Sequence, residues 1–293
     1  MKKFIFSARP KQILKNTILF IPLFFTLNNW INLDINIIQD LFINSLFSFL
    51  VFICCSTIGY QMNDLIDKKF DIKHKIKKNR PIANGEINNL ELFFFISLLF
   101  IIGIIFSVLV NKNVFFLYIL YIFTSLLYSK FLKNIIILDV ISITFFYIIR
   151  MLAGTFAIGY DVSVWLFILT FFLSLFIIII KRIRESQKGL IFRNKNLSKF
   201  YSKPLFLKVI FSLYIANIII YILYSISEIL YDHRNLLFII SSLFFTLGIS
   251  RYYFIIQKKK SGDFPEDIII KDLYILILII LFIISLFISK ILN

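Results

Sequence analysis

Long apolar runs separated by short polar stretches recur along the whole chain. They lie at roughly 16–33, 41–61, 92–111, 114–129, 135–157, 162–180, 205–226, 235–256 and 273–290. Each is near the ~20 residues that a helix needs to cross a bilayer. The pattern predicts nine candidate spans, of which the fourth is short and the first is interrupted by Pro22. Backbone groups in lipid have to be satisfied within their own segment, so these spans are expected to be helices. The expected fold is an all-α integral membrane protein, with residues 1–293 forming a single polytopic membrane domain.

Charge refines this picture. Hydrophobic residues make up 60% of the chain and charged residues 16%, yet the net charge is +16. Such an excess first suggests nucleic acid, but its distribution argues for topology instead. Lys112, Arg234 and Lys290 fall on one side of the nine spans and Arg150 inside the fifth, which leaves 28 of the 32 Lys and Arg on the other side. By the positive-inside rule that side is cytoplasmic, with the N-terminus inside and the C-terminus outside. The expected setting is a plasma or inner membrane with no nucleic-acid partner. The first apolar stretch follows basic residues, but no small-residue cleavage site comes after it, so it reads as an uncleaved span. Cys54 and Cys55 adjoin within span two and read as packing residues.

Two inner loops are long and polar, 62–91 and 181–204, and each begins with a charged stretch that continues a span. Four spans separate them, a weak sign of an internal repeat of the kind that places a site between two halves of a bundle. The first loop opens with NDLIDKKFD, residues 63–71. On a helix, Asn63, Asp64, Asp67 and Asp71 fall within one arc of roughly 100°, and Tyr60 stacks on the same face. Carboxylates crowded on one face repel unless a cation joins them. Oxygen-only ligands suit a hard ion such as Mg²⁺, which typically bridges protein carboxylates to substrate phosphates. Lys73, Lys75, Lys77, Lys78 and Arg80 follow, then PIANG. Acids that hold a metal, followed closely by bases, suit a Mg²⁺-diphosphate. A solvated mixed-charge loop is the plainer alternative, and the Asp spacing, helical phase and position at the membrane face count against it.

The second loop opens with KRIRESQK, where Lys181, Arg182, Glu185 and Lys188 share an arc of about 120° on a helix. One acidic face and one basic face suit two separate anions, a diphosphate on Mg²⁺ and a phosphate on Lys and Arg. A positive-inside flank is the alternative for these bases. Within span five, Arg150 is costly unless it faces a polar cavity or a partner such as Asp139 or Asp161.

N-D-x-x-D-x-x-x-D after a second span resembles the first aspartate motif of the UbiA superfamily of intramembrane prenyltransferases. KRIRE replaces that superfamily's usual second aspartate motif and is similar to the decaprenyl-phosphate phosphoribosyltransferase branch. ARPKQILKN, KKNRPIANG, YSKFLKN, LDV, the Arg150-MLAG stretch, SRYYF and the later PED also fit that branch. The spacing between Arg193 and Tyr201 is looser. The resemblance implies a UbiA-like bundle. It also implies Mg²⁺-dependent transfer of 5-phosphoribose from phosphoribosyl pyrophosphate to a polyprenyl phosphate, with release of pyrophosphate.

The site roles follow from the same resemblance. Asn63 and Asp67 would hold Mg²⁺, with Asp64 and Asp71 in support, and Asp67 and Asp71 would act in catalysis. Lys15, Tyr60, Lys77, Arg80, Lys133 and Arg150 would contact the donor. Lys181, Arg182 and Glu185 would form an opposite wall that orients the lipid phosphate or the ribose 5-phosphate. The resemblance leaves a homo-oligomer open. An ordinary UbiA-type prenyltransferase with an aromatic or glycerol-phosphate acceptor is the nearest rival, disfavoured by the absent second aspartate motif. A transporter of phosphorylated solutes would predict neither the acidic spacing nor the clustering on one membrane face.

Overall fold

A computed structural model describes residues 2–74, 77–187, 195–231, 237–258, 268–269 and 271–291. The expectations placed on Lys75, Lys188, Arg193, Arg234 and the stretch 259–267 lie outside those residues. Among the described residues all regular structure is helical.

The chain opens with short pieces: α1 (Lys2–Ser7), α2 (Pro10–Ile13), a 3₁₀ helix (Leu14–Phe20), α3 (Ile21–Phe25) and α4 (Leu27–Trp30). Eight long helices follow: α5 (Ile35–Asp71), α6 (Asn89–Val110), α7 (Lys112–Lys130), α8 (Ile136–Ala157), α9 (Val164–Gln187), α11 (Leu205–Tyr231), α12 (Leu237–Lys258) and α13 (Leu273–Ile291). A short α10 (Lys195–Tyr201) lies between α9 and α11. Among the described residues, these eight are long and apolar enough to cross a membrane.

The first apolar run, read as a span interrupted at Pro22, is built from short helical pieces rather than one continuous helix. Pro22 has no N–H to donate to the preceding turn, so it is tolerated only at the start of a new helix, here α3. Thr26, at φ −104° and ψ 12°, then separates α3 from α4.

Chain contacts divide the protein into two compact units. One comprises residues 1–23 and 34–162, the other residues 24–33 and 163–293. Each contains four of the eight long helices, and each set opens on a helix, α5 or α9, that runs on into a charged end.

In the first unit the core joins Leu19, Val51, Phe52, Cys55, Leu117, Tyr118, Tyr121, Phe146, Ile149 and Ala153. Cys54 and Cys55 are buried free thiols in this packing. Apolar surface gains nothing by leaving lipid, so close helix approach relies on small residues and hydrogen bonds. Gly103 lies under the Tyr118 ring, where a Cβ would come within 2.5 Å, and the Tyr118 hydroxyl donates to the Phe100 carbonyl at 2.9 Å.

The tightest approach is between α8 and the 3₁₀ helix. A Cβ on Gly154 would overlap the Leu19 carbonyl, whose carbon would lie 2.9 Å away. One turn earlier on α8, Arg150 Nε donates to Asn16 Oδ1 at 2.7 Å. Four residues of α-helix and three of 3₁₀ helix both rise about 6 Å. The pairs 150–16 and 154–19 therefore stay in register, which gives an unusually long 3₁₀ run a packing reason.

The second unit packs Leu169, Tyr221, Tyr224 and Phe238 with Phe25, Trp165, Phe245 and Phe282. Lys290, almost fully buried, donates to the Phe25 carbonyl at 2.7 Å, and Glu228 Oε2 lies 3.7 Å from its Nζ. It satisfies a carbonyl left at the break between α3 and α4. Near the other end of α13, Arg251 Nη2 donates to Asp272 Oδ2 at 3.0 Å and holds that carboxyl below the usual carboxylate range.

Candidate active site

The last two turns of α5 carry the acidic motif on a continuous helix that ends at Asp71. The four motif oxygen donors do not act as one group. They separate into two pairs, each joined by its own cation.

Asn63 and Asp67 form the first pair. One turn apart, they both accept from Lys133: Nζ lies 2.8 Å from Asn63 Oδ1 and 2.8 Å from Asp67 Oδ2. Lys133 comes from the 3₁₀ turn Leu132–Asn134 between α7 and α8. The Tyr128 hydroxyl donates to the buried Asp139 carboxylate at 2.9 Å, which bolts the two helices together across that turn.

Asp64 and Asp71 form the second pair, and both are buried to 3% exposure. Arg80 Nη1 donates to Asp64 Oδ1 at 2.8 Å and to Asp71 Oδ2 at 2.6 Å. Arg9 is also hydrogen-bonded to Asp64, and its guanidinium lies 5.0 Å from the centre of the Tyr60 ring. Arg9 adopts φ 53° and ψ 68°, a left-handed conformation that costs a non-glycine residue about 1–2 kcal/mol. The ion pair and the ring contact offset that cost. These two acids thus fasten the N-terminal segment and the Arg-Pro turn onto α5. The stretch 77–91 is tied down further by Lys3, which donates to Glu91 at 2.7 Å and to the Glu86 carbonyl at 3.0 Å.

The split bears on which residues could hold a metal. Asn63 and Asp67 oxygens already converge on one cationic point. Two such donors fit a Mg²⁺ ion that completes its shell with water and substrate oxygens. No group of three or more His, Cys, Asp or Glu among the described residues could hold a metal. Of the four residues expected at the metal, with Asn63 and Asp67 first, Lys133 joins those two and the arginines join the other two. Arg80 and Arg9 draw Asp64 and Asp71 into structural ion pairs.

Arg150 is buried to 3% exposure in the core of the first unit. Besides Asn16, it donates from Nη1 to the Phe146 carbonyl at 2.9 Å and from Nη2 to the Tyr121 hydroxyl at 2.6 Å. Neither Asp139 nor Asp161 is its partner, since its hydrogen bonds go to Asn16, Phe146 and Tyr121, and Asp139 takes Tyr128 instead. Lys15 and Tyr60 are half-buried in the same unit. Lys77 is half-buried too, and its backbone N–H donates to His74 Nδ1 at 3.3 Å. Burial and the nearby Lys77 charge hold the His74 imidazole below its ordinary range, against the pull of Asp71.

In the second unit, α9 ends with Lys181, Arg182 and Glu185 half-buried, and Arg182 is paired with Glu185. Arg184 faces elsewhere: it is buried and donates to the Ile256 carbonyl in the last turn of α12. That bond satisfies a helix-end carbonyl and fixes the rotation of α9's charged end.

Sequence reasoning missed Arg9, Asn16, Tyr121 and Arg184. Arg9 and Asn16 lie in the ARPKQILKN opening, and a polar Asn at the start of an apolar run was a usable signal. Tyr121 gave none, being one of 14 tyrosines in the chain.

Comparison with known proteins places the chain in a family. The profile of the UbiA prenyltransferase family matches residues 19–265. A decaprenyl-phosphate phosphoribosyltransferase from Mycolicibacterium smegmatis is 27% identical over 287 residues, covering 93% of this chain and 87% of that protein. A protein of the same name from Mycobacterium tuberculosis is 24% identical over 278 residues, covering 93% and 89%. Among solved structures, a UbiA homolog from Archaeoglobus fulgidus bound to GPP and Mg²⁺ superimposes with a TM-score of 0.74 at 18% identity, covering 98% of this chain and 99% of the other. With eight membrane-length helices among the described residues and this match over most of its length, the chain is a membrane transferase that belongs to the UbiA prenyltransferase family.

Proposed function

We propose that the protein transfers 5-phosphoribose from phosphoribosyl pyrophosphate to a polyprenyl phosphate and releases pyrophosphate. The observation that carries this reading is the contrast between the charged ends of α5 and α9. The first presents an oxygen half-site suited to a metal-bound diphosphate. Residues 181–204, by contrast, hold eight Lys or Arg and the single acid Glu185. A second metal-diphosphate cluster has no carboxylates to form from there, whereas a phosphate monoester finds cations. The relatives named decaprenyl-phosphate phosphoribosyltransferase, matched over 93% of the chain, point the same way.

The chemistry follows from the groups present. Asn63 and Asp67 would hold Mg²⁺, which when bound neutralises diphosphate oxygens and stabilises the departing pyrophosphate. Lys133 and Lys77 carry ammonium groups that can take remaining diphosphate oxygens as negative charge builds on the leaving group. Arg150 places a fixed positive charge within the apolar core, where low dielectric strengthens its attraction for an anion. Lys181 and Arg182 bind a phosphate, and Glu185 orients Arg182. The acceptor phosphate is ionised at neutral pH and is itself the nucleophile, so no strong general base is required. Positioning of the reactants supplies much of the acceleration. The charge distribution of the sequence places the acidic end of α5 on the cytoplasmic side, within reach of a soluble donor.

The test uses purified protein in detergent with labelled phosphoribosyl pyrophosphate, Mg²⁺ and a polyprenyl phosphate. Label is expected in the organic phase, and Lys112→Ala should retain it. Prenyl transfer to a small aromatic or glycerol-phosphate acceptor, with no lipid-linked label, would sink this reading.

A further inference from the structure

The Lys133 ammonium sits on the point where the Asn63 and Asp67 oxygens converge, 2.8 Å from each. It therefore occupies the place from which a divalent ion would use both oxygens. Its side chain is 10% exposed and that of Asp67 15%, so water screens the pair weakly. A metal arriving alone has to displace this ammonium, and the displaced charge then lies beside the metal's own. A metal arriving with diphosphate changes the balance, because the ammonium gains phosphate oxygens as its new partner.

The arginines that hold Asp64 and Asp71 are poorly suited to such an exchange. Arg80 is forked across two buried carboxylates, and Arg9 is held by a carboxylate and a ring. Lysine carries a compact charge on a flexible stem and can trade one oxygen partner for another without losing a fixed fork geometry.

We propose that Lys133 is a placeholder cation. It closes the Asn63–Asp67 half-site in the free protein and passes to the diphosphate when a metal–diphosphate complex enters. Metal and diphosphate then bind interdependently, each raising the other's affinity by the same factor, as linkage requires. The exchange also keeps Asp67 neutralised between turnovers. This inference rests on the reading of the half-site as a metal–diphosphate site, but not on the identity of the transferred group or of the acceptor.

Binding measurements test it without turnover. Mn²⁺ binding to the detergent-solubilised protein is followed by electron paramagnetic resonance. Binding of radiolabelled inorganic pyrophosphate is followed by equilibrium dialysis at rising Mn²⁺, with protein-free dialysis as the reference for complexation in solution. In the wild type, each ligand is expected to tighten the other by at least about fivefold, the lower end of ordinary coupling. In Lys133→Met, Mn²⁺ alone should bind at least about fivefold tighter than in the wild type, and the coupling to pyrophosphate should shrink. Lys133→Gln, which keeps an amide donor toward Asp67, should shift the same way and serves if the methionine variant does not fold.

Independent binding of the two ligands to the wild type overturns the proposal even if neither variant can be made. So does Mn²⁺ affinity in either variant equal to or weaker than wild type. If the coupling holds but no ribose phosphate reaches lipid, the transfer reading fails and the placeholder role stands. If lipid is labelled but the two ligands bind independently, the placeholder role fails and the transfer reading stands.

Discussion

Replacing Gly154 by alanine tests whether the 3₁₀ helix is held in register by backbone contact with α8. The new Cβ would overlap the Leu19 carbonyl and meet its carbon at 2.9 Å and the Leu19 Cα at 3.0 Å. Backbone cannot rotate away as a side chain can. The two elements have to part by about half an ångström or more before carbon atoms reach their ordinary separation of about 3.5 Å. Overpacking of this kind costs about 1–3 kcal/mol. The same displacement stretches the Asn16–Arg150 hydrogen bond, now 2.7 Å long. A bond to a charged group contributes about 1.5–3 kcal/mol. Alanine returns up to about 1 kcal/mol through helix propensity, so the net loss is about 1.5–6 kcal/mol. Gly248 supplies the control, since a Cβ there meets only Leu278 Cβ at 3.9 Å; Gly248→Ala should be neutral or stabilise by up to about 1 kcal/mol. Thermal unfolding in detergent reads both variants. At roughly 2–4 °C per kcal/mol, Gly154→Ala should melt about 3–24 °C below wild type. If both variants melt together near the wild-type temperature, the register argument is wrong.

Three further outcomes follow from the site. Asp67→Ala should abolish transfer and Mn²⁺ binding, whereas Asp71→Asn should keep Mn²⁺ binding while melting lower because Arg80 loses a buried partner; metal titrations separate the two. Arg150→Lys should fail to restore wild-type activity, because Nε, Nη1 and Nη2 each serve a different acceptor and an ammonium cannot span all three; initial rates in the labelled-donor assay check this. For Asp272, the folded carboxyl is held below its ordinary value by Arg251, so its contribution is complete above the unfolded value of about 3.9 and is lost as pH falls through the folded one. The melting-temperature gap between wild type and Asp272→Asn should therefore stay constant from about pH 5 to 8 and close below about pH 4; a gap that widens on acidification contradicts the ion pair.

Helix positions were legible in the chain because lipid imposes a length and forbids unsatisfied backbone. Spans read at 92–111 and 273–290 correspond to α6 and α13, displaced by a few residues. In the first run Pro22 signalled the interruption, while hydropathy gave no sign of the second break at Thr26, which backbone hydrogen bonding sets. At the acidic motif, helical phase correctly put Asn63, Asp64, Asp67 and Asp71 on one side of α5. Phase could not reveal that the arc is divided, because the division comes from Arg9, 55 positions before Asp64, and from Lys133, 66 positions after Asp67. The surroundings of Arg150 were hidden for the same reason. A buried guanidinium suggests a carboxylate, and here three neutral oxygens take that place.

The bond from Lys290 to the Phe25 carbonyl joins residues 265 positions apart. At a synthesis rate of about 5–20 residues per second, α3 and α4 wait roughly 13–53 s for the lysine that satisfies their broken backbone. During that interval the nascent segment has to be sheltered, by water at the bilayer surface or by the insertion machinery. The second unit thus closes its own beginning late, and nascent chains halted between α12 and α13 should display residues 24–33 to proteases or insertion factors that the finished protein excludes.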